Sequence, residues 1–286
     1  MPAHSVRRFD RRRMLASRLL TAAALLGLFL TALFFFPPSA WTALIAGTVA
    51  LAAWEWWALV GARAGSRFVY AVSIGSLVAL LGWVEKGQGG TLSWIVFAAA
   101  SMFWLVAVPA WFARGWPRLP LPLLLGTGVL VLAPAGVAAI VLREESPAGL
   151  LLVLAAVWVA DSAAYLVGRR WGRRKLAPAI SPAKTWEGVI GALVAVTLGS
   201  ALIQLAGAER VFWAEGLWIT LVLPALAAVS VLGDLFESAV KRHAGVKDSG
   251  TLLPGHGGVL DRVDSLTAAL PLAGLLAGFA RPISGL

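Results

Sequence analysis

Long apolar stretches alternate with short polar connections along this chain of 286 residues. About nine of the stretches approach the roughly 20 residues that a helix needs to cross a bilayer. The predicted spans are residues 19–36, 40–60, 68–84, 92–112, 121–142, 148–167, 189–206, 212–232 and 263–280. The fifth is the weakest, because Pro122 and Pro134 interrupt it, although membrane helices tolerate proline. The pattern predicts an all-α, polytopic integral membrane protein with about nine transmembrane helices.

The composition agrees with a membrane location and narrows the chemistry. Hydrophobic residues make up 59% of the chain and charged residues 13%, whereas soluble domains carry about 25% charged residues. The chain contains no cysteine, which excludes disulfides, thiolate metal sites and a cysteine nucleophile within it. The net charge of +10 would suit nucleic acid, but the basic residues lie at the ends of apolar segments. We therefore expect no nucleic-acid partner.

Lysine and arginine are distributed unevenly between the two sides of the predicted topology. Twenty of the 24 fall in the N-terminal tail and in alternate connections. The exceptions on the other side are Lys86, Arg143, Arg210 and Arg281. Cytoplasmic connections carry the excess of these residues in membrane proteins. The distribution predicts a cytoplasmic N-terminus and a C-terminus outside. We also expect a place in the cell (inner) membrane, with the charged connections facing the cytoplasm.

Acidic residues divide the chain into two regions. The first five spans carry almost none, with Glu55 as the exception, so residues 19–142 are predicted to be a scaffold of about five spans. A basic cytoplasmic tail, residues 1–18, precedes it. The chemistry is expected in a C-terminal catalytic region of about four spans, residues 148–286. Its cytoplasmic loops are predicted at residues 168–188 and 233–262.

Residues 233–265 hold the densest charge in the chain, between two apolar runs. Their first part spaces four polar side chains so that a helix would present them on one face. These four are Asp234, Glu237, Ser238 and Lys241. The same spacing returns at the start of the next span, in Asp261, Asp264 and Ser265. Residues 254–258 lie between the two groups and cannot form regular helix, because they include one proline and three glycines.

This mixture of side chains suits a site for metal-bound phosphates at a membrane surface. Carboxylates are ligands for a divalent cation, lysine and arginine bind phosphate, and a glycine-rich turn lets backbone N–H groups approach an anion. Asp234 and Asp261 are the strongest ligand candidates, because each lies at a span end and is followed at i+3 by a second carboxylate. Oxygen ligands without cysteine favour magnesium or manganese over zinc. His256 is expected to bond phosphate or to position the turn.

A second polar cluster occupies residues 181–188. Ser181 before Pro182 is typical of a helix N-cap with proline in the first turn, which would place Lys184 and Glu187 one turn into the helix. One interpretation is only a capped helix start, and the other is a part of the site. Ser181 with Lys184 also fits the S-x-x-K motif of serine acyl-enzymes, but neither an S-D-N nor a K-T-G partner accompanies it.

Asp161 closes the sixth predicted span. A carboxylate near a span end is costly and marks a functional hypothesis. The alternative is a structural partner of Arg169 or Lys184, and the sequence leaves both open.

The region from Ser238 to Ser265 resembles the signature of the phosphatidate cytidylyltransferases, also called CDP-diacylglycerol synthases. About a dozen positions match over 28 residues, which is far more specific than a short motif. The S-P-x-K-T-x-E-G block at residues 181–188 and the D-S-x-A-Y segment that starts at Asp161 also resemble this family. The resemblance covers the C-terminal half closely and the N-terminal half only as a set of spans.

The resemblance implies that CTP and phosphatidate react to give CDP-diacylglycerol and pyrophosphate in phospholipid biosynthesis. It implies Asp234 and Asp261 as principal ligands of Mg²⁺ (or Mn²⁺), with Asp264 in support, while a second cation, divalent or monovalent, stays open. Lys184 and Lys241 would join the two aspartates as catalytic residues. The substrate-binding positions would be Asp161, Ser181, Thr185, Glu187, Glu237, Ser238, Arg242, Lys247, Asp248, His256, Gly257, Gly258, Arg262 and Ser265. The family also suggests a homodimer.

Two other classes of function compete with this one. A transporter or channel would carry ionisable residues at mid-span and related halves, whereas here the charges cluster at span ends and no halves match. A CTP-dependent lipid kinase, or another membrane lipid nucleotidyltransferase, would share the metal chemistry and differ in the group transferred or in the acceptor. The products formed from labelled CTP would separate these classes.

Overall fold

The computed structural model of the chain describes residues 26–85, 91–206, 217–252 and 257–280. Within them the helices are α1 (Leu26–Phe35), α2 (Pro38–Leu59), α3 (Arg67–Glu85), α4 (Thr91–Met102), α5 (Val108–Ala113), α6 (Leu121–Glu145), α7 (Pro147–Trp171), α8 (Trp186–Leu205), α9 (Leu217–His243) and α10 (Leu260–Ala280). A 3₁₀ turn, Ala64–Ser66, precedes α3, and a π-helical turn, Phe103–Ala107, joins α4 to α5. The strands of these residues are β1 (Lys175–Ala177) and β2 (Ser181–Thr185).

Seven of the described helices are long and apolar enough to cross a membrane. They are Pro38–Leu59, Arg67–Glu85, Leu92–Ala113, Leu121–Glu145, Pro147–Trp171, Trp186–Leu205 and Ile219–His243. The α1 helix is shorter, and α10 carries three charged residues in its first turns. The prediction of an all-α, polytopic membrane protein is confirmed. The count of nine spans and the sides of the two termini stay predictions.

Contacts between backbone positions divide the chain into two compact units, Met1–Trp41 and Thr42–Leu286. In the described part of the first unit, the rings of Phe29 and Trp41 pack with their centroids 6.2 Å apart. The second unit contains every residue predicted for the site. In it, α9 packs against α8 and α10, and α7 packs against α8 and α9.

An aromatic cluster fixes α9 within the second unit. Phe236 of α9 is buried, and its ring packs against four others at centroid distances of 5.4 to 6.1 Å. These rings belong to Trp56, Phe103, Trp104 and Trp111. Aromatic pairs of this kind stabilise by about 0.5–1.5 kcal/mol each beyond the area that they bury. The cluster therefore sets the height and rotation of α9, which carries the next residue, Glu237, into the polar site.

Helix boundaries differ from the predicted spans where polar residues continue a helix. The α9 helix runs eleven residues beyond the predicted span end at 232, to His243, so Asp234, Glu237, Ser238 and Lys241 all lie on it. The α6 helix passes through Pro134 without a break, although proline removes a backbone donor there. The helical spacing of the polar residues thus predicted this part of α9 correctly, whereas hydropathy alone placed the end of the span too early.

The predicted helix cap at Ser181 is wrong. Residues 181–185 form β2, which pairs antiparallel with β1, with Lys175 opposite Thr185 and Ala177 opposite Ser181. The N-cap of α8 is Thr185, whose hydroxyl accepts a hydrogen bond from the Gly188 N–H at 3.1 Å. Lys184 therefore lies on a strand and Glu187 in the first turn of the helix. Backbone pairing with β1 outweighs the local preference of the Ser-Pro dipeptide.

Candidate active site

Lys241 joins the end of α9 to the start of α10. Its ammonium nitrogen lies 2.6 Å from Oδ1 of Asp261 and 2.9 Å from Oε1 of Glu237, one turn earlier on α9. All three side chains are largely withdrawn from solvent, with 4 to 11% of each exposed. Two carboxylates on separate helices therefore share one buried cation, and the removal of that cation would leave both unpaired.

Asp261 also binds the backbone of the loop that precedes α10. Its Oδ2 accepts the N–H groups of Ser249 and Gly258, each at 2.9 Å. Burial raises the pKa of Asp261, but hydrogen bonds from Lys241, Gly258 and Ser249, with the charge of Lys241, outweigh burial and lower the pKa to about 2. Asp261 precedes the predicted span that begins at residue 263, and it remains ionised at neutral pH.

Asp234 forms a second cation–carboxylate pair one turn before Glu237. The Lys184 ammonium lies 2.5 Å from its Oδ2, and the hydroxyl of Ser238 donates to its Oδ1 at 3.3 Å. Asp234 also interacts electrostatically with Asp161 of α7 and Asp264 of α10. Lys184 of β2 thus contacts a cluster in which three helices each contribute an aspartate.

Ser265 of α10 adjoins this cluster. Its backbone N–H donates a hydrogen bond to Oδ1 of Asp264 at 2.8 Å, and its side chain interacts electrostatically with the Asp161 carboxylate. The two interpretations of Asp161 are therefore compatible, because it interacts with Lys184 and also faces the acidic cluster.

The donor set at this cluster suits a hard divalent cation. Asp161, Asp234 and Asp264 offer only oxygen atoms as ligands, and Asp234 repels each of the other two across the helix contacts. Among the described residues, no three acidic or histidine side chains are already arranged around one point as a metal site. The ammonium groups of Lys184 and Lys241 lie against the acidic residues in this arrangement.

Several predicted substrate-binding residues hold the backbone around the site. Glu187 accepts the N–H groups of Arg173 and Arg174 at 3.0 and 3.2 Å, and so closes the turn after α7. Arg242 donates to the carbonyl oxygens of Ile180 and Val246 at 3.1 and 3.0 Å, and so ties the end of α9 to the hairpin. In this arrangement both side chains bind backbone groups beside the site.

The remaining predicted residues lie in or beside the loop between α9 and α10. Lys247 and Asp248 are exposed, and Arg262 is exposed in the first turn of α10. Gly257 has a φ of 85°, a left-handed conformation that favours glycine, and a β-carbon there would meet Oδ2 of Asp261 at 3.0 Å. His256 lies outside the described residues.

Glu55, which the sequence assigned to the scaffold, contacts the loop between α9 and α10. It lies on α2, is 1% exposed, and accepts hydrogen bonds from the loop that carries the signature. The available signal was its position, since an acidic residue within an apolar span is costly unless it is paired or used. Its partners are about 200 residues away in sequence, so no local pattern could have identified them.

The fold and the site together define the class of this protein. Facing acidic and basic side chains at helix ends of a polytopic membrane protein suit an enzyme that transfers groups between charged phosphate substrates. The chain belongs to the cytidylyltransferase family, whose sequence model matches residues 16–279.

Three curated relatives share one name, and two of them cover most of the chain. A phosphatidate cytidylyltransferase of Pseudomonas aeruginosa is 39% identical over 281 residues, which are 94% of this chain and 100% of that protein. One of Haemophilus influenzae is 37% identical over 280 residues, 90% of this chain and 96% of that protein. A phosphatidate cytidylyltransferase of Thermotoga maritima is 43% identical over 134 residues, 46% of this chain and 49% of that protein.

Proposed function

We propose that this enzyme is a phosphatidate cytidylyltransferase that converts CTP and phosphatidate into CDP-diacylglycerol and pyrophosphate. The family match and the relatives support the reaction. The observation that carries it in the structure is the pair of cation–carboxylate contacts, Lys184 of β2 with Asp234 of α9 and Lys241 of α9 with Asp261 of α10. Such a site can receive two polyanions, one from the membrane and one from water.

The main requirement of this reaction is neutralisation of the negative charge on the two substrates and on the leaving pyrophosphate. An oxygen of the lipid phosphate attacks the α-phosphorus of CTP, and the bond from that phosphorus to the bridging oxygen breaks as pyrophosphate leaves. The lipid phosphate is already anionic, so no strong general base is needed. Fixed cations can bring the anions together and offset charge on the leaving group, which is the proposed role of Lys184, Lys241 and Arg262.

Magnesium is the proposed cofactor, with manganese as the alternative. Asp234 and Asp264 are proposed as its ligands together with Asp261, because they offer hard oxygen atoms on adjoining helices. When bound, the ion would neutralise phosphate charge as a Lewis acid. The three carboxylates are not equivalent, since Asp261 already accepts bonds from Lys241 and two backbone amides.

A detergent-micelle assay tests the activity and the cofactor together. Purified protein with phosphatidate and CTP is expected to form CDP-diacylglycerol when Mg²⁺ is present and to stop when a chelator removes it. Restored Mg²⁺ should restore the rate. Synthesis that continues unchanged in chelator would contradict the metal proposal, and no lipid nucleotide under any condition would contradict the function.

The proposed orientation places the site on the cytoplasmic face of the inner membrane, where CTP is available. Because the chain has no cysteine, single cysteines report the exposed side directly. Ala179→Cys, in the β1–β2 turn, and Ala244→Cys, after α9, should react with an impermeant thiol reagent only from the cytoplasmic side. Glu145→Cys, at the end of α6, should react from outside. Labelling of Ala244→Cys from outside intact cells would overturn the orientation.

Lys184→Ala tests whether the hairpin belongs to the site. We expect kcat/KM to fall at least about tenfold while the protein stays folded, because Asp234 and the bound phosphates lose a cation. Lys175→Ala is the matched control, since Lys175 lies on the paired strand and is exposed. Equal activity of both variants would show that Lys184 serves only to pair with Asp234.

The homodimer stays a proposal that only the family resemblance supports. Cross-linking in native membranes, followed by mass determination, would test it.

A further inference from the structure

Glu55 of α2 binds the segment between α9 and α10 in two places, at Ser249 and at residues 259–260. Oε2 accepts the hydroxyl of Ser249 at 3.1 Å and the N–H of Leu260 at 2.8 Å. Oε1 accepts the N–H of Val259 at 3.1 Å. Ser249 lies in the first half of the loop, and Val259 and Leu260 lie where α10 begins. One buried carboxylate therefore joins the predicted scaffold to the signature region.

The same two parts of the loop also bind Asp261. Ser249 gives its hydroxyl to Glu55 and its N–H to Asp261, while the N–H of Gly258 goes to Asp261 and the next two go to Glu55. These two parts of the loop thus lie between the carboxylates of Glu55 and Asp261. Any shift of these donors relative to Glu55 also shifts the donors that orient Asp261.

The packing beside the Glu55 carboxylate leaves no room for a side chain at Gly250 or Gly258. A β-carbon at Gly250 would meet Oε1 of Glu55, and one at Gly258 would meet Oε2 and the hydroxyl of Ser249. These glycines allow the loop to approach the carboxylate closely. The positive end of the α10 helix dipole also faces Glu55, which favours an acidic group there.

We propose that Glu55 is a positioning residue for catalysis, which sets the location of Asp261 through Ser249 and Gly258, the residues whose N–H groups bind it. It does not touch the substrate in this role. The inference rests on the proposed function, because its effect is read in the cytidylyltransferase reaction. It assigns part of the active site to the N-terminal half, which the sequence had indicated only as scaffold.

Glu55→Gln is the direct test, since it keeps the shape and removes one acceptor. In Glu55 each carboxylate oxygen accepts one backbone N–H, from Val259 or from Leu260. In either orientation of the glutamine amide, its NH₂ group therefore replaces one of these acceptors and faces a backbone N–H. We expect kcat to fall at least about tenfold per folded molecule, with the KM for CTP within about threefold of the original. Kinetics are compared with thermal unfolding of the same preparations.

Glu85→Gln is the matched control. Glu85 ends α3 and binds the backbone N–H and hydroxyl of Ser93, near the start of α4, at 2.9 and 2.7 Å. Like Glu55, it is a carboxylate that binds donors near the start of another helix, but it lies outside the proposed site. A loss of thermal stability with unchanged kinetics in both variants would assign Glu55 a structural role alone and overturn the proposal. Unchanged kinetics in Glu55→Gln would overturn it too.

Ser249→Ala provides a second test that does not depend on folding of the Glu55 variant. It removes the hydroxyl bond to Glu55 and keeps the N–H bond to Asp261. We expect a smaller loss of kcat, and the double variant should be no slower than Glu55→Gln, because both changes act on one contact. An unaffected Ser249→Ala enzyme, or fully additive losses, would contradict the proposal. If the original enzyme itself makes no CDP-diacylglycerol, the proposed function fails instead.

Discussion

Asp261→Asn and Asp234→Asn are each expected to lower kcat/KM by about 10³-fold or more, a magnitude typical of residues that act as a unit. Asp261 is the common partner of Lys241 and two loop amides, and Asp234 is the partner of Lys184. Neutralisation of either removes a proposed metal ligand and one carboxylate partner of a lysine. Steady-state kinetics on folded, purified variants over a range of Mg²⁺ concentrations measure the effect.

The double variant and a milder substitution sharpen this prediction. Asp234→Asn combined with Asp261→Asn should be little slower than either alone, because ligands of one site are not additive. Asp248→Asn should cost much less, since Asp248 is exposed in the loop. If Asp234 and Asp261 serve only as structural partners of basic residues, the variants will lose stability and keep their rate per folded molecule. Full activity of folded Asp261→Asn with unchanged Mg²⁺ dependence would contradict the shared site.

Lys241→Met is expected to have the second-largest effect, on both activity and stability. The substitution leaves Glu237 and Asp261 buried without their cation, and the loss of one partner from a buried ion pair costs about 3–5 kcal/mol. The proposed phosphate contact is lost as well, so kcat/KM should fall by about 10²-fold or more. Denaturant unfolding and kinetics on the same preparation separate the two effects.

Glu237→Gln added to Lys241→Met distinguishes structure from catalysis. The second change removes one of the unpaired buried charges, so part of the lost stability should return. Activity should not return, because Asp261 and the phosphates still lack the ammonium group. Recovery of both quantities together would show that Lys241 acts only as a structural counter-ion.

The polar face of α9 could be predicted because its information is local. Asp234, Glu237 and Lys241 repeat at helical spacing, and the spacing held although hydropathy ended the span at residue 232. The hairpin could not be predicted in the same way. Residues 181–185 are too few for a strand period to be visible, and the pairing of Lys175 with Thr185 depends on the turn between them.

The contacts that complete the site depend on tertiary packing. Nothing near Lys184 in sequence indicates that it pairs with Asp234, because that contact needs β2 to lie beside the end of α9. Glu55 shows the same limit more strongly, since its partners Val259 and Leu260 are 204 and 205 residues away. The types of residue indicated a site for phosphates and a metal ion. Which of these residues contact one another could be learned only from the folded structure.

The fate of the CTP phosphates tests the central claim most directly. Parallel reactions with phosphatidate micelles would contain CTP labelled at either the α- or the γ-phosphorus. We expect the α label to appear in the lipid product and the γ label in pyrophosphate, in equal amounts. Transfer of the γ label to lipid would identify a kinase, and the absence of both labels from lipid, with folded protein and Mg²⁺ present, would contradict nucleotidyl transfer.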